Sequence, residues 1–224
     1  EDVLAFPDTG HRGYQVEGLS DRMVSSTITL WITVHSEPTS GAPAFPILHR
    51  GTERTHRTPS LWFSPESHNL SLRASVPGYK QFGFWYSAAA LPTGVPTHVA
   101  LVIRSGGKGG KGGNSILEMY INGRLDKQKR SAKPFMHPQG HLYIGRTPWS
   151  FQGASNVTIA RIHYWASALS EEQIRDDARG SAGQPGAAEQ ELFDRGGGLP
   201  PALISVQDPF LTAGNGFVGE GRSA

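Results

Sequence analysis

The stretch Leu117-Glu118-Met119-Tyr120-Ile121-Asn122-Gly123-Arg124-Leu125 decides the architecture. Leu117, Met119 and Ile121 alternate with Glu118 and Tyr120, the period-two pattern of a strand with one apolar face. Asn122-Gly123 follows at once, and a type I′ turn, which needs positive φ at both central residues, favours that dipeptide. The chain is therefore expected to fold back here as an antiparallel hairpin. The same alternation recurs on either side. Ile28, Leu30, Ile32 and Val34 alternate with Thr27, Thr29, Trp31 and Thr33; Leu70, Leu72, Ala74 and Val76 alternate with Ser71, Arg73 and Ser75; Val99, Leu101 and Ile103 share a further face. Shorter segments at 46–50, 60–63, 81–86, 141–145 and 157–165 read as additional strands. Short strands punctuated by Pro and Gly predict an all-β, antiparallel β-sandwich. One short C-terminal helix is expected after Ser170-Glu171-Glu172-Gln173, a capping box with acidic residues where the helix dipole favours them. Arg175 and Arg179 lie towards its other end and Gly180 is its stop.

Composition agrees with this reading. A chain of 224 residues and 24.2 kDa can bury a substantial core, about 70% of its extended surface. Only 37% of residues are hydrophobic, whereas 28 are Gly and 16 are Pro, as suits strands joined by many turns. No run of about 18 apolar residues is present, so no membrane-spanning helix is expected. A net charge of +2 is too small to point to nucleic acid. The absence of cysteine excludes disulfides and zinc-thiolate sites. Opening on Glu1-Asp2-Val3, the chain reads as an excerpt or a processed form. The β-sandwich is expected to occupy 1–180, with GGKGGKGGN (106–114) a flexible insertion between two strands. Residues 181–224, rich in Gly, Pro, Ala and Ser, read as a tail or linker with a short helix near 187–193.

The order of segments carries a resemblance. Pro92-Thr93-Gly94-Val95-Pro96-Thr97-His98-Val99-Ala100-Leu101-Val102 is similar to the "LPxGxWTHVA" strand of laminin-G-like and pentraxin-like domains of the concanavalin A-like superfamily. The 117–125 hairpin resembles their "LxLYVDGxL" element, Leu142-Tyr143-Ile144-Gly145 their "LxIG" strand, and 159–174 their closing strand and helix. The resemblance spans roughly residues 3–179 and implies a jelly-roll sandwich. It also raises calcium, which pentraxin-like members hold with a Glu-Gln-Asp cluster just after the "LxIG" strand. Arg146-Thr147-Pro148-Trp149 stands there in this chain and lacks the hard oxygen ligands calcium requires. No cofactor or metal is therefore expected.

Glycosidases of the superfamily would need two carboxylates about 5–9 Å apart. No alternating acidic triplet exists here, and Glu118 reads as a solvent-side strand residue. Glu171, Glu172, Asp176 and Asp177 read as a solvated helix face, and His98 as a structural histidine. His137 and His141, separated by Pro138 and Gly140, do not imply metal geometry. The expected function is a non-catalytic recognition module, part of a larger protein, whose partner is a glycan or a protein surface. A scaffold domain without a small ligand is the alternative, and a glycosidase the remote one. Ligand-binding candidates are Trp149, Trp85, Trp31 and Trp62, since indoles offer flat apolar surfaces to sugar rings; Trp165 reads as core or helix packing. Arg124, Lys127, Lys129, Arg130 and Lys133 are candidates for an acidic partner or else a charged strand edge that resists pairing. Asn69 and Asn156 begin sequons that are usable if the protein is secreted, which tilts the expected location towards the secretory pathway.

Overall fold

The computed structural model describes residues 3–6, 14–16, 25–52, 56–106, 115–136, 140–149, 156–180, 204–206 and 217–218. Residues 107–114 of the glycine-rich insertion, the segment expected to be helical at 187–193, and His137 lie outside them. The strands are β1 (Val3–Phe6), β2 (Tyr14–Val16), β3 (Ser26–Val34), β4 (Phe45–Arg50), β5 (Ser60–Phe63), β6 (Leu70–Val76) and β7 (Tyr79–Phe84). They continue as β8 (Thr97–Arg104), β9 (Ser115–Ile121), β10 (Arg124–Ser131), β11 (Leu142–Ile144), β12 (Val157–Trp165), β13 (Ile204–Val206) and β14 (Phe217–Val218). The helix α1 is Glu171–Gly180.

Two antiparallel sheets result. The first runs β1-β12-β3-β8-β9-β10, with β13 also pairing β12. The second runs β14-β2-β11-β4-β5-β6-β7. Their inner faces enclose one core in which Ile28, Leu30, Leu61, Phe63, Leu72, Val99 and Leu117 are almost wholly buried. Arg50 is also fully buried there and donates a hydrogen bond to the Tyr164 hydroxyl, joining β4 of one sheet to β12 of the other. The Asn122-Gly123 turn has positive φ at both residues, +50° and +75°, as the sequence predicts for a type I′ hairpin. The capping box also forms reciprocally: Gln173 N–H donates to Ser170 Oγ at 3.2 Å, and Ser170 N–H to Gln173 Oε1 at 2.9 Å.

The outer face of the first sheet departs from expectation, because it is covered. Helix α1 and residues leading into it lay Leu169 and Ile174 over Ala100, Val102, Tyr120 and Trp165, forming a second small core. Glu118 shares this face and is only 4% exposed, so it is not the solvent-side residue its alternation suggests. It accepts hydrogen bonds from Arg104 Nε at 2.9 Å, Gln128 Nε2 at 2.8 Å and the Tyr120 hydroxyl at 3.3 Å. Asp177 likewise is not on a solvated face. It lies on the buried face of α1, with its Oδ2 3.0 Å from His98 Nε2 and its Oδ1 3.5 Å from His163 Nδ1. A carboxylate can only accept, so His98 Nε2 is the donor in that bond.

On the second sheet, the β6–β7 pairing depends on a glycine. Gly83 lies opposite Arg73 with φ +153°, and a Cβ there would stand 2.0 Å from the Leu72 carbonyl oxygen. Gly83→Ala is expected to cost about 3 kcal/mol, since the obstacle is backbone and cannot rotate away. Urea denaturation checks this, and a variant as stable as the parent would refute it.

Candidate ligand-binding groove

Strand pairing lines up one residue from each strand across the outer face of the second sheet. Tyr143 pairs with His49, His49 with Ser60, Ser60 with Arg73, and Arg73 with Gly83. The alternate residues Leu48, Leu61 and Leu72 enter the core. Beside this row lies a groove of about 450 Å³ whose walls include Trp62, Arg73, Trp85, Tyr86 and Trp149. Trp62 comes from β5, Trp85 and Tyr86 from the segment leaving β7, and Trp149 from the loop after β11. Trp85 and Tyr86 are each 61% exposed, well beyond what a sandwich of this size needs to leave in water. The Arg73 guanidinium lies 3.4 Å from the centroid of the Trp85 ring, a cation–π contact that holds the indole upright. Arg73 is itself aimed by Ser71, whose Oγ accepts from its Nε at 3.2 Å and donates to the Phe84 carbonyl at 3.0 Å.

Below the indoles runs a short relay. Trp62 Nε1–H can only donate, and does so to Ser60 Oγ at 2.6 Å. The Ser60 hydroxyl also shares a hydrogen bond with His49 Nδ1, 3.1 Å away. The other ring nitrogen, His49 Nε2, is buried without a hydrogen-bond partner. The Trp149 ring stands perpendicular to the imidazole, with centroids 4.8 Å apart. Burial, aided by the positive charge of Arg57, pushes the His49 pKa down to about 3. The imidazole is therefore a neutral support for the wall of the groove.

Three of the four candidate tryptophans, Trp62, Trp85 and Trp149, meet here. Trp149 is half-buried, and Trp85 is the most exposed of the three. Trp31 lies apart, on β3 of the other sheet, with its ring 5.4 Å from that of His98. The candidate cations Arg124, Lys127, Lys129, Arg130 and Lys133 follow β10, the end strand of its sheet, and the residues just beyond it. Two of them reach across to the opposite sheet: Lys129 Nζ donates to the Gly83 carbonyl at 3.0 Å and Lys133 Nζ to that of Pro77 at 2.9 Å. Asn69 Nδ2, the atom a glycan would occupy, donates to the Ser87 carbonyl and hydroxyl at 3.3 and 3.1 Å. Asn156 is half-buried with φ +43°. Sequence reasoning did not single out His49, Ser60, Arg73 or Tyr86 as site residues. Only the register across β4, β5 and β6 brings the first three under the indoles.

A family model described as the concanavalin A-like lectin/glucanases superfamily matches residues 8–175. The chain belongs to this superfamily. A search of curated proteins gave no match. Among solved structures, the binding domain of botulinum neurotoxin serotype D is similar over 80% of this chain and 43% of its own, at 14% identity and a TM-score of 0.57. A Bacteroides ovatus protein provisionally named a carbohydrate binding protein matches over 78% of this chain and 46% of its own, at 17% identity and TM-score 0.55. The native heptameric SAP-like pentraxin of Limulus polyphemus matches over 79% of this chain and 82% of its own, at 16% identity and TM-score 0.55. At these identities the likeness is one of fold. The chain spans less than half the length of the toxin domain and of the Bacteroides protein.

Proposed function

We propose that this superfamily member is a non-catalytic recognition module that binds a glycan in the groove walled by Trp62, Trp85 and Trp149. The observation that carries the reading is the convergence of three indoles and Tyr86 from separate segments on one outer face, with Arg73 supplying hydrogen-bond donors among them. Flat apolar rings interleaved with fixed donors suit sugar rings, which present C–H faces and hydroxyl rims. Among the described residues the groove walls carry no carboxylate, and Glu118 lies on the other sheet with its oxygens occupied, which supports binding rather than glycoside hydrolysis. The names of the toxin binding domain and the Bacteroides protein support the same reading.

The deciding experiment is a glycan array with the isolated domain, run in calcium and again in chelator. Binding to a defined sugar class in both conditions is expected, because the residues after Gly145 offer no calcium ligands. Trp85→Ala is expected to weaken that binding by about 10–100-fold, the effect of removing an exposed aromatic anchor. Silence across the array in both conditions, with a protein captured through Trp85 instead, would replace the glycan with a protein surface.

A further inference from the structure

The opposite face of the sandwich carries a second groove, of about 670 Å³, between the tip of the β9–β10 hairpin and helix α1. Its walls include Trp31, Asn122, Arg124, Glu171, Arg175 and Arg179. The hairpin tip packs closely on the helix: a Cβ at Gly123 would lie 2.9 Å from the Arg175 Cγ. This close approach sets the Arg124 side chain beside the helix arginines.

The hydrogen-bonding character of the walls is one-sided. Arg124 is exposed and makes no hydrogen bond or ion pair among the described residues. Arg175 and Arg179 are exposed and hold loose intrahelical contacts: Arg175 pairs with the Glu171 carboxylate at 3.7 Å and its Nε donates to the Glu171 carbonyl at 3.4 Å, while Arg179 pairs with Asp176 at 3.7 Å. Asn122 uses its Oδ1 to accept from the His98 backbone N–H at 2.9 Å, which leaves its amide nitrogen as a donor. Trp31 Nε1–H, which can only donate, is buried without a partner. Among the described residues that wall the groove, one carboxylate, Glu171, stands against these donors, and it is already engaged by Arg175. Three guanidiniums and an amide, with one spent acceptor, form a surface complementary to an oxyanion.

We propose that this groove binds a sulfate or phosphate ester, its tetrahedral oxyanion held by Arg124 and Arg179 and the rest of the molecule lying against Trp31. The site is separate from the indole groove of the second sheet and does not depend on it.

The test follows the indole N–H resonance of Trp31, identified by its loss in Trp31→Phe, in the intact chain by two-dimensional NMR. Sodium sulfate and sodium phosphate are titrated at ionic strength held constant with sodium chloride. A saturable shift with either ion is expected, weakened about tenfold in Arg124→Gln and again in Arg179→Gln, and unchanged in Trp85→Ala. Glucose 6-sulfate and glucose 6-phosphate, run alongside, are expected to bind more tightly than the inorganic ions, and the better of the two names the ester. A shift that merely follows ionic strength, one that survives both arginine variants, or saturation by acetate alone would overturn the proposal. Both arginines are exposed, so the variants are expected to fold, and unchanged spectra elsewhere verify it.

Discussion

Asp177→Ala is expected to lower the stability of the domain by about 3–5 kcal/mol, the cost of leaving buried polar groups without their charged partner. Asp177 lies on the buried face of α1 and receives His98 and His163, which reach it from β8 and β12. Burial acts to raise its pKa, but hydrogen bonds from His163 and His98 outweigh it and hold the carboxyl well below the usual range. A carboxyl depressed in the folded state stabilises above its unfolded pKa, and that contribution is lost as pH falls through the folded value. Chemical denaturation at neutral pH measures the effect. A loss under 1 kcal/mol would show that packing of Leu169 and Ile174, rather than Asp177, fastens the helix.

Acidification itself is expected to give the second large effect, in a window that belongs to His49. The unfolded chain takes up a proton on this residue near pH 6.5, whereas the folded imidazole resists until about pH 3. Between those values the unfolded state binds more protons, so stability falls as pH falls, with a limiting slope of about 1.4 kcal/mol per pH unit. The whole excursion is on the order of 3–5 kcal/mol. Asp177 contributes only towards the bottom of this range, so denaturation between pH 4 and 6.5 isolates the histidine. His49→Asn is expected to flatten that limb. An equally steep limb in the variant would assign the pH dependence to another group. The same substitution removes the ring that faces Trp149, so it is also expected to change indole fluorescence at neutral pH.

Much of the sandwich was legible because alternation is a local signal. The strands at 26–34, 60–63, 70–76 and 157–165 begin and end where the pattern does. Asn122-Gly123 and Ser170 to Gln173 state their turn and cap in single short words. Alternation tells which residues share a face, but not whether that face meets water. The reading of Glu118 fails for that reason, since the cover over the first sheet comes from Leu169 and Ile174, far along the chain; Asp177 sits on the inner face of that covering helix. The groove was half legible. Indoles announce themselves by type, and Trp62, Trp85 and Trp149 could be nominated one at a time. That they meet, and that Trp31 does not join them, depends on register between strands. His49 gave no signal, because a histidine inside the fully buried strand β4 looks like any other core position.

The origin of the groove in the chain bears on how it forms. Trp62, Trp85 and Tyr86 belong to one run of consecutive strands, β5 to β7, whose pairings close only short loops and can assemble early. Trp149 arrives with β11, which reaches β4 only after the intervening chain has crossed to the other sheet and back. Between those two events a nascent domain would hold its aromatic surface uncapped, and this interval, rather than the finished fold, is where it is most exposed to self-association.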